Sequence, residues 1–151
     1  MEDTRKVFDT IPEKFEKWRP HYSKELFDFI VKTCDLNKNK SCLEIGPGTG
    51  QATDFALQSG CDYHAIELGE HFVSYMKQKY KSYKNFNIVN ADFEKFQFEK
   101  EKYNLVYSAA AIQWIKEEYK EKFFNGVHEA IIKHGGEIKF NDTYVLYLYQ
   151  K

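Results

Sequence analysis

The chain has 151 residues, the size of one domain with a real core. Its 22 basic and 23 acidic residues cancel to a net charge of −1, which advertises neither nucleic acid nor an anionic membrane as a partner. No apolar run approaches the roughly 18 residues of a membrane span, the opening Met1-Glu2-Asp3-Thr4-Arg5-Lys6 is charged, and Cys34, Cys42 and Cys61 form no C-x-x-C pair. The expectation is therefore a cytoplasmic chain with reduced thiols.

Pro20 breaks the first segment, and Ser23 can cap a helix from Lys24 to about Thr33 with Leu26, Phe27, Ile30 and Val31 as its apolar stripe. Asn37-Lys38-Asn39-Lys40 is a polar turn. Cys42 to Ile45 is predicted as a buried first strand. Thr49 or Gly50 then opens a helix that stops at Gly60. Tyr63 to Ile66 is a second strand, ended by Glu67. Glu70 to Lys81 is helical, with Phe72, Val73, Met76 and Tyr80 on one side. Lys77, Lys79, Lys81 and Lys84 read as the solvated face around this helix. Asn87 to Val89 and Tyr103 to Ser108 are the third and fourth strands. Glu117 to His134 is a helix ended by Gly135-Gly136. Glu137 to Phe140 and Thr143 to Tyr149 are strands, with Asn141-Asp142 as a tight turn. Strands alternating with helices predict an α/β fold: a mostly parallel, Rossmann-like sheet covered on both faces, its last strand antiparallel. Such sheets bind ligands beyond the carboxyl ends of their strands, where strand order reverses. The glycine turn, Glu67, Asp92 and Ser108 would all lie at that edge.

Glu44-Ile45-Gly46-Pro47-Gly48-Thr49-Gly50 joins the first strand to the next helix. The dinucleotide fingerprint wants its third glycine three residues after the second. Here that position is Gln51, and the third glycine comes one residue early. The E-x-G-x-G-x-G pattern resembles motif I of class I S-adenosylmethionine-dependent methyltransferases, whose ligand has no pyrophosphate. Phe8-Asp9-Thr10-Ile11, Phe15 and Arg19-Pro20-His21-Tyr22 resemble the opening of small-molecule methyltransferases of that superfamily, of the trans-aconitate methyltransferase type.

The resemblance implies S-adenosyl-L-methionine as cofactor and a small-molecule acceptor, with no nucleic acid and no membrane, in a monomer or homodimer. Glu44, Gly46, Gly48 and Gly50 would form the cofactor loop. Glu67 would grip the ribose diol, since a carboxylate can accept two hydrogen bonds. Asp92 would take the adenine amino group and Phe93 would flank the ring. Ser108 opens Ser108-Ala109-Ala110-Ala111-Ile112-Gln113-Trp114, whose small side chains let the backbone approach the sulfonium. Gln113 and Trp114 would position the acceptor, although Trp114 can equally anchor the next helix in the core. Arg19 would pair with a carboxylate, and Tyr22 would sit beside the methyl donor; Trp18 and Tyr22 can also serve as staples for the first helix. His21 and His71 are candidate bases placed by no motif. The five histidines and three cysteines show no metal-ligand spacing.

The implied layout is one methyltransferase-like domain over residues 1–151: an amino-terminal lid over 1–22, a cofactor-binding core over 41–115, and a helix with closing strands over 116–151. Ile131 to Ile138 and Tyr144 to Tyr149 resemble the family's closing segment, which makes the carboxyl half short on the acceptor side. Another alignment makes His134-Gly135-Gly136 the turn before a fifth strand. Transfer to a small O or N acceptor is the leading expectation. A catalytically weak or inactive cofactor-binding or protein-interaction module is the alternative. A nicotinamide oxidoreductase fits poorly, because Gln51 replaces a required glycine.

Overall fold

The computed structural model describes residues 3–97, 102–119 and 149–150. Four parallel strands carry the fold: β1 (Ser41–Ile45), β2 (Asp62–Glu67), β3 (Phe86–Asn90) and β4 (Leu105–Tyr107). A two-residue strand, β5 (Tyr149–Gln150), completes the order β3-β2-β1-β4-β5. β1 is central, pairing Cys42 with both Tyr63 of β2 and Leu105 of β4. Strand order reverses between β1 and β4, so a crevice opens beyond their carboxyl ends. The antiparallel direction is confined to β5, where Leu105 faces Gln150 and Val106 faces Tyr149; the four strands that frame the crevice run parallel throughout. The rest of the expected closing hairpin, and the expected helix beyond residue 119, lie outside the described residues.

Among the described residues four helices of six residues or more accompany the sheet: α1 (Pro12–Trp18), α2 (Lys24–Thr33), α3 (Asp54–Ser59) and α4 (Glu70–Lys79). Ser23 caps α2 by accepting from Leu26 N–H at 3.3 Å, as its sequence suggests. Phe27 of α2 stacks on Phe55 of α3 with ring centroids 4.6 Å apart. α1 has no counterpart among the sequence expectations. Its cap position, Ile11, offers no side-chain hydrogen bond, and its local signals are Pro12 and Glu13 in the first turn and Lys17 in the last.

α3 also begins later than expected. Residues 49–53 form turns, and the helix starts at Asp54. Gly50 holds φ +90, outside the right-handed helical region, so helix cannot run through it. A Cβ there would lie 2.7 Å from the Tyr80 hydroxyl and 2.8 Å from Met76 Sδ. Gly50 therefore lets α4 pack against the loop, and Tyr80 O–H donates back to the Gly50 carbonyl at 3.1 Å.

Alternation along β1 divides the core. Leu43 and Ile45 point to one face, with Ile66 and the half-buried Phe93, Phe96 and Ile115. Cys42 and Glu44 point to the other, where Phe55, Leu57, Tyr63, Met76 and Leu105 form the larger cluster. The three cysteines are free and buried. Among the described residues no helix is long and apolar enough to cross a membrane.

Glu44 is 1% exposed, and one of its oxygens, Oε2, accepts from three hydroxyls: Thr53 and Tyr63 at 2.6 Å and Tyr107 at 3.0 Å. These three donors come from the loop before α3, from β2 and from β4. Burial pushes the Glu44 carboxyl above its ordinary range, although the three hydroxyls pull the other way. Tyr107 O–H also lies 3.0 Å from the Ala52 carbonyl, so the network ties the glycine turn to the sheet beneath it.

Candidate active site

The crevice holds a cavity of about 120 Å³ at the carboxyl ends of β1, β2 and β3. Its floor is Ile45, Gly46 and Ile66. Glu67 stands at the end of β2, and Asp92 with Phe93 stands just past β3. Ala110, Ala111 and Trp114, after β4, close one side. Arg5, Phe8 and Phe15 from the amino-terminal segment close the top, with Phe72 of α4. A second cavity of about 40 Å³ adjoins it, shares Phe15, Gly46, Gly48 and Ala110, and adds Arg19, Tyr22 and Glu44.

The residues singled out from sequence divide accordingly. Gly46, Gly48, Glu67, Asp92, Phe93 and Trp114 line the first cavity. Arg19, Tyr22 and Glu44 line the second. Gly50, Ser108 and Gln113 line neither. Ser108 donates its hydroxyl to the Ile45 carbonyl at 2.9 Å, which joins the ends of β4 and β1. Gln113 is exposed and turns back to the Ala110 carbonyl. Tyr22 packs edge-on against Phe27, and the Arg19 guanidinium sits 5.3 Å over the Phe15 ring. Trp18 is 75% exposed, which rules out its role as a core staple.

Glu67 is buried and bound on both oxygens by backbone. Oε2 accepts from Gly48 N–H at 2.9 Å and Oε1 from Gly69 N–H at 2.8 Å. It thus clamps the glycine turn to the turn between β2 and α4. Burial raises its pKa above the ordinary carboxylate range, against the pull of those two N–H groups. Asp92 is engaged differently. Arg5 donates to both of its oxygens, Nη1 to Oδ1 at 3.1 Å and Nη2 to Oδ2 at 2.9 Å. This pairing holds Asp92 below its ordinary range. Arg5 also lies 3.5 Å from Glu94, whose other oxygen accepts from Lys116 N–H.

Two more polar clamps hold the amino-terminal segment down. Asp9, 5% exposed, accepts from Phe72 N–H at 3.0 Å and His71 N–H at 3.4 Å, at the start of α4, and from His71 Nδ1 at 2.9 Å. Gly69 makes room for it, since a Cβ at 69 would lie 2.1 Å from Asp9 Oδ1. Burial pushes the Asp9 carboxyl up, but the His71 and N–H contacts outweigh that and hold it low. Glu16 of α1 takes Lys79 Nζ and Gln51 Nε2, both at 2.8 Å. Gln51, the departure from the dinucleotide fingerprint, is therefore an anchor for α1. Sequence reasoning missed Arg5 and the roles of Asp9 and Glu16, because each partner lies 35 to 87 positions away.

A twisted parallel sheet, a glycine turn after β1 and a carboxylate ending β2 define a class I S-adenosylmethionine-dependent methyltransferase. Residues 42–136 match the family described as "Methyltransferase domain", and the chain belongs to it. A ribosomal RNA small subunit methyltransferase A of Hahella chejuensis is 34% identical over 73 residues, which is 48% of this chain and 27% of the relative. The chain thus spans about a quarter of the length of that curated relative. A phosphoethanolamine N-methyltransferase 2 of Haemonchus contortus, in complex with phosphomonomethylethanolamine and S-adenosylhomocysteine, superposes with a TM-score of 0.62. Its identity is 21%, over 76% of this chain and 29% of that one. A dimethyladenosine transferase of Plasmodium falciparum gives a TM-score of 0.54 at 21% identity, over 79% and 40%. At these identities the solved structures show the fold alone.

One expectation is overturned here. Partners were expected to be a small-molecule acceptor with no nucleic acid, on near-neutral charge and the opening motif. The curated match is named for ribosomal RNA, so the exclusion of nucleic acid does not stand. Net charge averages over the whole surface and carries no information about a local acceptor site.

The cofactor is S-adenosyl-L-methionine, the methyl donor of this family. The residues present fit it: an apolar slot walled by Ile45, Ile66 and Phe93, with carboxylates at two points on its rim.

Proposed function

We propose that this chain transfers the methyl group of S-adenosylmethionine to a nitrogen or oxygen nucleophile brought in beside Trp114. The single observation that carries this reading is the convergence of Gly46, Gly48, Glu67, Asp92 and Trp114, from four separate segments, on one cavity. In this reading Glu67 accepts from the ribose diol, Asp92 from the adenine amino group, and Phe93 flanks the ring. Arg19 and Glu44, beside the second cavity, hold the charged amino-acid tail. Gly50 and Ser108 shape the pocket without touching its contents, and Tyr22, Gln113 and Trp114 bound the acceptor side. The segment up to residue 22 is the lid.

The bound cofactor supplies a methyl group on a sulfonium, already a strong electrophile. What the chain adds is alignment and the exclusion of water, and orientation dominates such displacements. Phe8 and Trp114, with ring centroids 6.5 Å apart, form the aromatic mouth through which the nucleophile arrives.

Two acceptor classes enter the test, each on its own support. The opening segment resembles methyltransferases of small acids, and the curated relative is named for ribosomal RNA. The experiment is calorimetric titration with S-adenosylmethionine, S-adenosylhomocysteine and NAD. A transfer assay follows over small amines, small carboxylic acids and ribosomal RNA. Binding of the first two ligands, and S-adenosylhomocysteine formed with one acceptor class, supports the reading. Binding without transfer across the panel selects the alternative, a cofactor-binding module.

A further inference from the structure

We propose that Arg5 is an affinity-determining latch: it competes with the adenine of the cofactor for the Asp92 carboxylate, so that the amino-terminal strap must let go before the cofactor seats. This rests on the reading of Asp92 as the adenine-end carboxylate.

Three observations carry it. Arg5 grips both oxygens of Asp92, at 3.1 and 2.9 Å, and Glu94 N–H also donates to Oδ1 at 3.1 Å. The carboxylate that should read the ligand is thus committed to the chain itself. Arg5 also lines the cavity that Glu67 and Phe93 line, so the latch stands at the wall of the ligand space. The cavity it helps close is smaller than a small-molecule site requires. The latch is embedded in charge of the opposite sign, with Asp3 at 2.8 Å and Glu94 at 3.5 Å on the same guanidinium. A planar, two-point donor holds such a carboxylate far better than an ammonium would.

The consequence is a tax on binding. If about 90% of molecules are latched, apparent affinity falls about tenfold below the intrinsic value. Salt should relieve that tax, because the Debye length drops from about 10 Å at 0.1 M to about 3 Å at 1 M and the latch is partly exposed.

The test is calorimetric titration of S-adenosylhomocysteine into the full chain and its variants, with thermal unfolding recorded alongside. Arg5→Ala is expected to bind about tenfold more tightly than wild type. Arg5→Lys should fall between the two. Raising salt from about 0.1 to about 1 M should tighten wild type and leave Arg5→Ala unchanged. Asp92→Ala should weaken binding, and adding Arg5→Ala to it should change nothing further. If wild type binds but Arg5→Ala binds equally or more weakly, the latch is wrong while the cofactor site stands. If neither binds S-adenosylhomocysteine at millimolar concentration, the reading of the site fails and takes the latch with it.

Discussion

The floor of the cleft and the strap above it are built by different means. The floor is a parallel sheet with Cys42 and Leu105 fully buried, locked by Glu44 and its three hydroxyls. The strap, 3–18, rests on three polar clamps at Arg5, Asp9 and Glu16, and exposes Val7, Ile11 and Trp18. Buried networks and apolar packing open only with the whole domain, whereas elements held by a few contacts open locally. The contrast teaches that sheet and strap are held by independent contacts, so one can be broken without the other.

The sharpest break of that contrast is at the floor. Glu44→Ala leaves three buried hydroxyls without their acceptor and should cost about 3–5 kcal/mol. A fall of about 10 °C in the thermal midpoint checks it. Next comes Glu67→Ala, which removes the carboxylate that binds Gly48 and Gly69. Affinity for S-adenosylhomocysteine should drop at least tenfold in calorimetry, with the domain still folded. Asp9→Ala acts where the strap meets the start of α4. The loss of the α4 cap should cost about 1 kcal/mol, while tryptic cleavage at Arg5, Lys6 and Lys14 should accelerate several-fold. Should cleavage stay slow, the strap is held by its aromatic contacts and not by its clamps.

The smallest expected effect is the pH response of the strap. Hydrogen bonding to Asp9 raises the pKa of His71 above 6.5. A raised imidazole contributes stability that is full below 6.5 and lost as pH rises through the folded value. The Arg5–Asp92 pair runs the opposite way, since Asp92 is held below 3.8 and its contribution disappears as pH falls through that lower value. Proton NMR of His71 should show titration above 6.5 in wild type and near 6.5 in Asp9→Ala.

Much of the floor was legible from residues alone. Ser23 and Leu26 marked α2, Gly60 marked the end of α3, and the β1 to β4 strands lie within a residue or two of their apolar runs. Local chemistry decides those features. The start of α3 was misplaced because the backbone of Gly50 answers to Tyr80 and Met76, thirty and twenty-six positions away. The strap was legible as a motif but not as a mechanism. Nothing near Arg5 in the chain points to Asp92, and a seven-residue helix without a side-chain cap leaves little trace. Gln51 was noted for the glycine it replaces, and only its contact with Glu16 explains what it does.

Positions 9 and 69 form a matched pair, one supplying a carboxylate and the other the empty volume that receives it. Neither can drift alone. Any descendant of this chain that acquires a side chain at 69 must displace or lose the acid at 9, so the two sites should covary across the lineage although they lie 60 positions apart.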